Sequence, residues 1–220
     1  VSAYEPLLAR LDWHSRTAET ISVRLGNGVE PNTYVEVHDA DGTVLASTPR
    51  PHPEFGGMQG GFHVAGGETY SEIWILTGLY QFREPGVYTI HFRLLDWVEG
   101  LPVIAEETVS VQVLPFDAAR LEARCQDLFA AIYRRTRSEP QVSLVVAAKA
   151  LRSVLHDIAL PYLDWMAREW DDRYACRAIR RIGSERSEKL MAALAARADG
   201  VGTAMEQAMR LRLETGYADY

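Results

Sequence analysis

Four arginines, Arg173, Arg177, Arg180 and Arg181, recur at three- and four-residue spacing, so that on a helix they share one face. Guanidinium groups in such a row can grip carboxylate or phosphate oxygens bidentately, which makes the row a candidate ridge for an acidic protein partner or a phosphate. The blander expectation is a solvated face whose charges are met by the nearby Asp171, Asp172 and Glu185. A second candidate is the stretch 49–67, PRPHPEFGGMQGGFHVAGG, where Phe55, Met58 and Phe62 offer apolar contact groups between paired glycines. It is expected to be a loop, and one of that length serves either as a flexible connector or domain contact, or as a partner- or ligand-binding segment. It is no phosphate loop, since it lacks the G-x-x-x-x-G-K-[ST] pattern and sits in no parallel βα unit.

Other groups with chemical potential are sparser. His38 and His91 are expected on outward strand faces and, with Glu36, would meet over a metal only if their strands are neighbours in register; surface histidines are the ordinary expectation. Asp39, Asp41 and Gly42 look like part of a calcium loop but lack the later ligands, and a hairpin turn accounts for them better. Cys125 and Cys176 have no metal-type spacing and are expected as small buried hydrophobes, the alternative being a disulfide. Trp165 and Trp170 are expected to pack between stacked repeats or against the sandwich. No H-E-x-x-H, G-x-S-x-G, C-x-x-C or dinucleotide fingerprint occurs, so no catalytic residue, metal ligand or cofactor is assigned.

The elements that must position these groups follow from periodicity. From 18 to 114 the pattern has period two: Ile21, Val23 and Leu25 alternate with polar residues, as do Val35 and Val37. Asp41 and Gly42 then close a hairpin. Residues 70–77 read as a strand buried on much of both faces. In 86–95, Tyr88, Ile90, Phe92 and Leu94 face one way and Thr89, His91 and Arg93 the other; 108–113 repeats the alternation. Six or more short strands without intervening helices predict an antiparallel β-sandwich. Gly67 and Glu68, Tyr80, Phe82, Pro85, Gly86, Tyr88 and Thr89 resemble the later strands of bacterial immunoglobulin-like modules. The resemblance spans roughly 15–114 and implies a tyrosine corner at Tyr88; such modules serve as spacers, adhesion units, inhibitors and domain partners.

After Pro115 the period becomes helical. Asp117 is placed to cap a helix carrying Leu121, Cys125, Leu128, Phe129 and Ile132. Ser138 to Gln141 forms a capping box, Asp157 opens a helix, and Asp171 or Asp172 opens the next. Gly183 is placed to end that one and Ser184 to start a fifth. A sixth would run between the capping box at Thr203 and Glu206 and a stop at Gly216. Residues 147–166 and 175–194 align without a gap at an offset of 28. Ala147, Ala150 and Arg152 recur as Ala175, Ala178 and Arg180, and Leu151, Val154 and Leu163 recur as Ile179, Ile182 and Met191. A fixed period of that size signals stacked helix pairs. These residues resemble HEAT-type helical repeats, although Lys189 stands where the first copy has Pro161.

The expected architecture is therefore an α+β multidomain chain: an immunoglobulin-like antiparallel β-sandwich over 1–115 and a short helical-repeat domain of about six helices over 116–220. The 220 residues carry a net charge of −7, which argues against non-specific nucleic-acid binding. The charge is uneven, with 6 basic and 15 acidic residues in 1–116 against 17 and 15 in 117–220. No apolar run approaches the ~20 residues of a membrane span. No signal peptide is visible, and a start at Val1 is expected of a trimmed or mature chain. The functional expectation is a non-enzymatic binding or scaffold protein with a protein partner. The immunoglobulin-like resemblance adds an exported or cell-envelope bacterial setting. The alternative is an accessory domain pair of a larger enzyme or a protease-inhibitor-like module.

Overall fold

The switch of period near Pro115 is the main division of the fold in a computed structural model of the chain, which describes residues 1–14, 18–24, 33–47, 61–98, 101–133 and 141–198. Antiparallel strands come first: β1 (Leu8–His14), β2 (Ile21–Arg24), β3 (Thr33–His38), β4 (Gly61–Val64), β5 (Thr69–Ile75), β6 (Gly86–Val98) and β7 (Leu101–Val113). Helices follow: α1 (Ala118–Tyr133), α2 (Gln141–Arg152), α3 (Leu160–Glu169), α4 (Arg173–Ile182) and α5 (Glu185–Ala198). The fold is thus mixed α and β. Val1 and Leu8–Pro115 form one compact unit, and Ser2–Leu7 belongs with the helices from Phe116 onward.

In the strand unit, β6 lies between β3 and β7. Tyr88, Ile90 and Phe92 are buried with Val37 of β3 and Val113 of β7, while Arg93 is exposed, as the alternation requires. Both β6 and β7 run to 13 residues, longer than the segments 86–95 and 108–113. Chain entry into β6 is fixed by side-chain bonds to backbone. The Tyr88 hydroxyl donates to the Glu84 carbonyl at 2.9 Å and the Tyr80 hydroxyl donates to the Val35 carbonyl. The rings of Phe82 and Tyr88 meet edge-on at 5.2 Å.

Two expectations for this unit are corrected. β5 is not buried on both faces, because it pairs with β1, whose Arg10 and Asp12 stand opposite Ile73 and Ser71. Arg10 Nε donates to Asp12 at 2.8 Å and Arg10 Nη2 to Ser71 Oγ at 3.1 Å, a solvated polar cluster beside the exposed Ile73. The stretch 49–67 is not loop throughout, since its end forms β4, paired with β2. Glycine is needed there for packing: a Cβ on Gly66 would lie 2.4 Å from the Ala18 carbonyl carbon, closer than side chains tolerate.

In the helical unit, the Asp117 carboxylate accepts from the Arg120 amide at 3.0 Å and starts α1, which buries Leu121, Cys125, Leu128 and Ile132. Glu5 is buried against it, accepting from Arg120 Nε at 2.8 Å and from the Ser2 amide at 2.6 Å. The matched repeat positions Ala147, Ala150 and Leu151 of α2 and Ala175, Ala178 and Ile179 of α4 are all buried. The opening of the third helix differs from expectation. Asp157 begins a 3-10 turn (Asp157–Ala159) capped by His156, whose ring accepts from the Ile158 amide, and α3 starts only at Leu160 with Pro161 in its first turn. Gly183, at φ 67°, ends α4, and Ser184 Oγ accepts from the Ser187 amide at the start of α5. The capping box at Ser138 and the sixth helix at 203–216 lie outside the described residues.

Candidate functional site

Helix α4 turns Ala175, Cys176, Ala178 and Ile179 inward. Its other side carries Arg173, Arg180 and Arg181, all exposed, and the half-buried Arg177. The carboxylates expected to neutralise this row are committed elsewhere or unengaged. Asp172 accepts from Arg152 Nη2 at 2.7 Å, and Glu185 accepts from Lys189 at 2.6 Å. Among the described residues no ion pair involves Arg173, Arg177, Arg180 or Arg181 or the exposed Asp171. Surrounding protein mass pulls the Arg181 guanidinium below the usual arginine value by desolvation. The residue is nevertheless exposed, and exposure is the better guide to its hydration, so it stays charged.

Sequence reasoning missed Tyr174. Its ring has the guanidinium carbons of Arg173, Arg152 and Arg177 at 4.9, 5.3 and 5.6 Å from its centroid, and Arg173 Nη2 donates to its hydroxyl at 2.8 Å. The local signal was present: an aromatic adjacent to one ridge arginine and three residues before another. The approach of Arg152 was not, because it comes from α2. The structure thus brings Arg173 and Arg177 together around one ring. Phe55 and Met58 lie outside the described residues, and Phe62 occupies β4 opposite Val23.

On the β3–β6–β7 sheet, Glu36 stands opposite His91, so the strand-neighbour condition for His38, His91 and Glu36 is met. The rings of His38 and His91 lie 5.0 Å apart, edge-on. His38 Nε2 sits 2.5 Å from Glu36 Oε1 and its Nδ1 3.1 Å from the Gly42 carbonyl, so two acceptors face one ring, an arrangement that favours its doubly protonated form. Among the described residues no group of three or more His, Cys, Asp or Glu is arranged to hold a metal ion. Asp39, the other suspected ligand, spends its carboxylate on the Asp41 and Thr43 amides at 3.0 and 2.8 Å, shaping the turn.

The Glu36 carboxylate, then the Gly42 carbonyl, raises the His38 pKa above the ordinary imidazole value. A raised folded-state value means that the charged form is favoured by folding. The contribution is complete below the ordinary histidine pKa and is lost as pH rises through the raised value. NMR titration should place the His38 midpoint above that of an unstructured histidine, and Glu36→Gln should bring it down. An unchanged midpoint in Glu36→Gln would refute the assignment.

Cys125 and Cys176 are free and buried, and desolvation pushes their thiols up to about 12 and about 11. Burial, with the bond to Glu122, takes the Tyr162 hydroxyl up to about 12. Trp165 packs edge-on against Phe129 of α1 at 5.0 Å and lies 5.6 Å from Trp170, which is itself exposed. No helix among the described residues is long and apolar enough to cross a membrane.

No family profile matches the chain, and no curated protein matches it. Among solved structures, a family 123 glycoside hydrolase from Clostridium perfringens, studied for glycolipid glycan hydrolysis, is similar at 12% identity with a TM-score of 0.33. The similarity covers 70% of this chain and 31% of that one, so this chain spans about a third of that protein's length. A likeness at that score carries no argument about fold or activity.

Proposed function

We propose that the chain is a non-enzymatic binding or scaffold protein that docks an acidic protein partner on the arginine face of α4. The observation that carries this is four arginines on one helix with no carboxylate partner among the described residues, in a protein of net charge −7. Where a chain is acidic on balance, a concentrated basic row is complementary to an acidic surface. Phe55, Met58 and Phe62 are a second proposed contact. The finer fold reading is an immunoglobulin-like sandwich followed by HEAT-type repeats. The Tyr88 bond to the Glu84 carbonyl supports the first, and the burial of the matched α2 and α4 positions supports the second. The likeness of the strand segment to modules frequent in exported bacterial proteins favours an extracytoplasmic setting.

The test is fluorescence anisotropy with a labelled glutamate-rich peptide. Wild type should bind in a salt-dependent way, and Arg177→Glu with Arg180→Glu should weaken binding by about tenfold or more, since like charge then faces like charge. Equal binding by wild type and the double variant would sink the proposal.

A further inference from the structure

We propose that Arg173 and Arg177 form a fork for one phosphate dianion, free or carried as a monoester on a partner, and that Tyr174 is the positioning residue that holds it. The inference rests on reading α4 as an anion-facing surface and names the group that surface takes. Arg173 and Arg177 stand at i and i+4, a spacing that puts their Cβ atoms about 5–6 Å apart on one helix face. Both guanidinium carbons lie within 5.6 Å of the Tyr174 centroid, and Arg173 is further tied to the Tyr174 hydroxyl. Arg152 closes on the same ring, but Asp172 neutralises it.

Two positive charges with no ion partner among the described residues therefore converge on one aromatic ring beside a third that is already paired. Such a cluster repels itself, and a bound anion relieves the repulsion. A dianion matches the two open charges in number, and the planar guanidinium fork matches phosphate oxygens in geometry. Stacking on Tyr174 also restrains two long side chains that would otherwise lose rotamer freedom on binding, so part of the ordering cost is met before the ligand arrives. The site does not depend on the amide groups at the start of α4, because the Asp172 carboxylate already accepts from Tyr174 and Ala175.

The full chain should be titrated calorimetrically at fixed ionic strength with four probes: inorganic phosphate, a phosphoserine hexapeptide, its unphosphorylated form, and its glutamate form. Saturable binding of inorganic phosphate as tight as the phosphopeptide assigns the free ion; tighter peptide binding assigns the monoester. The glutamate form should bind about tenfold more weakly than the phosphopeptide, having one charge in place of two. Phosphopeptide binding should weaken as pH falls through about 6, where the monoester takes up its second proton.

Arg173→Lys with Arg177→Lys keeps the charge and removes the fork, and should weaken phosphopeptide binding by about tenfold. Tyr174→Leu should weaken it by a similar factor while Tyr174→Phe, which keeps the ring, loses only part, and Arg186→Gln on α5 should change nothing. The lysine pair keeps both charges and most of each side-chain stem at the exposed Arg173 and half-buried Arg177, so it tests the fork even where Tyr174→Leu disturbs α4. Undiminished binding by the lysine pair, or glutamate and phosphoserine peptides binding alike, overturns the fork. If acidic-peptide binding is still lost in Arg177→Glu with Arg180→Glu, only the fork has failed and the broader reading of α4 stands.

Discussion

Replacing Asp172 with alanine should destabilise the helical unit by about 4 kcal/mol, combining a lost helix cap with an orphaned arginine. The carboxylate has two jobs on two oxygens. Oδ1 accepts from the Tyr174 and Ala175 amides at 2.9 and 3.2 Å, satisfying groups that α4 leaves unpaired at its start. Oδ2 accepts from Arg152 Nε and Nη2 at 2.9 and 2.7 Å, tying the end of α2 to the start of α4. Loss of a cap alone costs about 1 kcal/mol, and breaking a buried pair costs about 3–5 kcal/mol because the remaining charge has no partner. The Asp172 side chain is 5% exposed and that of Arg152 is 19%, so water reaches Arg152 partly and the lower end applies.

Urea unfolding followed by the helical circular-dichroism signal measures this loss. Asp172→Asn keeps an oxygen for the cap and should cost less than alanine. In an Arg152→Met background, Asp172→Ala should cost only about the cap, since no charge is left unpaired. A loss below about 1 kcal/mol in the wild-type background would mean that the pair carries no stability.

The same residue marks where the sequence stops being informative. The spacing leaves Asp171 and Asp172 equal as openers of α4. Only the backbone separates them: Asp171 takes a left-handed turn at φ 51° after α3, which puts Asp172 at the cap. Because Asp172 then turns to Arg152, it is withdrawn from the arginine row it was expected to neutralise. An interhelical pair whose members are 20 positions apart leaves no periodic trace, so the lack of ion pairs on α4 among the described residues could not be read in advance.

Strand β1 is the opposite case. Ala9, Leu11 and Trp13 alternate with Arg10, Asp12 and His14, a legible period-two pattern that sequence reasoning left unassigned. Strand β4 offers no such trace: its four residues, glycine first, become a strand only by pairing with β2. The burial pattern of β6 and the C-terminal end of α4 were legible because each depends on a local rule, namely alternation and the Gly183 stop.

Leu163→Ala should cost about 3 kcal/mol, whereas Met191→Ala at the matched position should cost about 1 kcal/mol or less. The two residues correspond at the offset of 28, yet Leu163 is fully buried and Met191 only half so. The difference begins upstream. In the first copy a 3-10 turn and Pro161 delay the helix until Leu160, whereas in the second Lys189 takes the place of proline and α5 runs unbroken from Glu185, the position matching Asp157. A proline in the first turn fixes φ and needs no amide partner, so it sets where α3 begins and which of its residues face α4. Without it α5 starts a turn earlier, and its apolar residues Leu190, Met191 and Leu194 are all only partly buried. Truncating Leu163 leaves a cavity inside a packed unit, while truncating Met191 mainly trims a surface that water already reaches. Equal losses for the two variants would show that both copies pack alike and that the departure at Lys189 has no structural consequence; a three-fold or larger difference would locate the stability of the helical unit in its first copy.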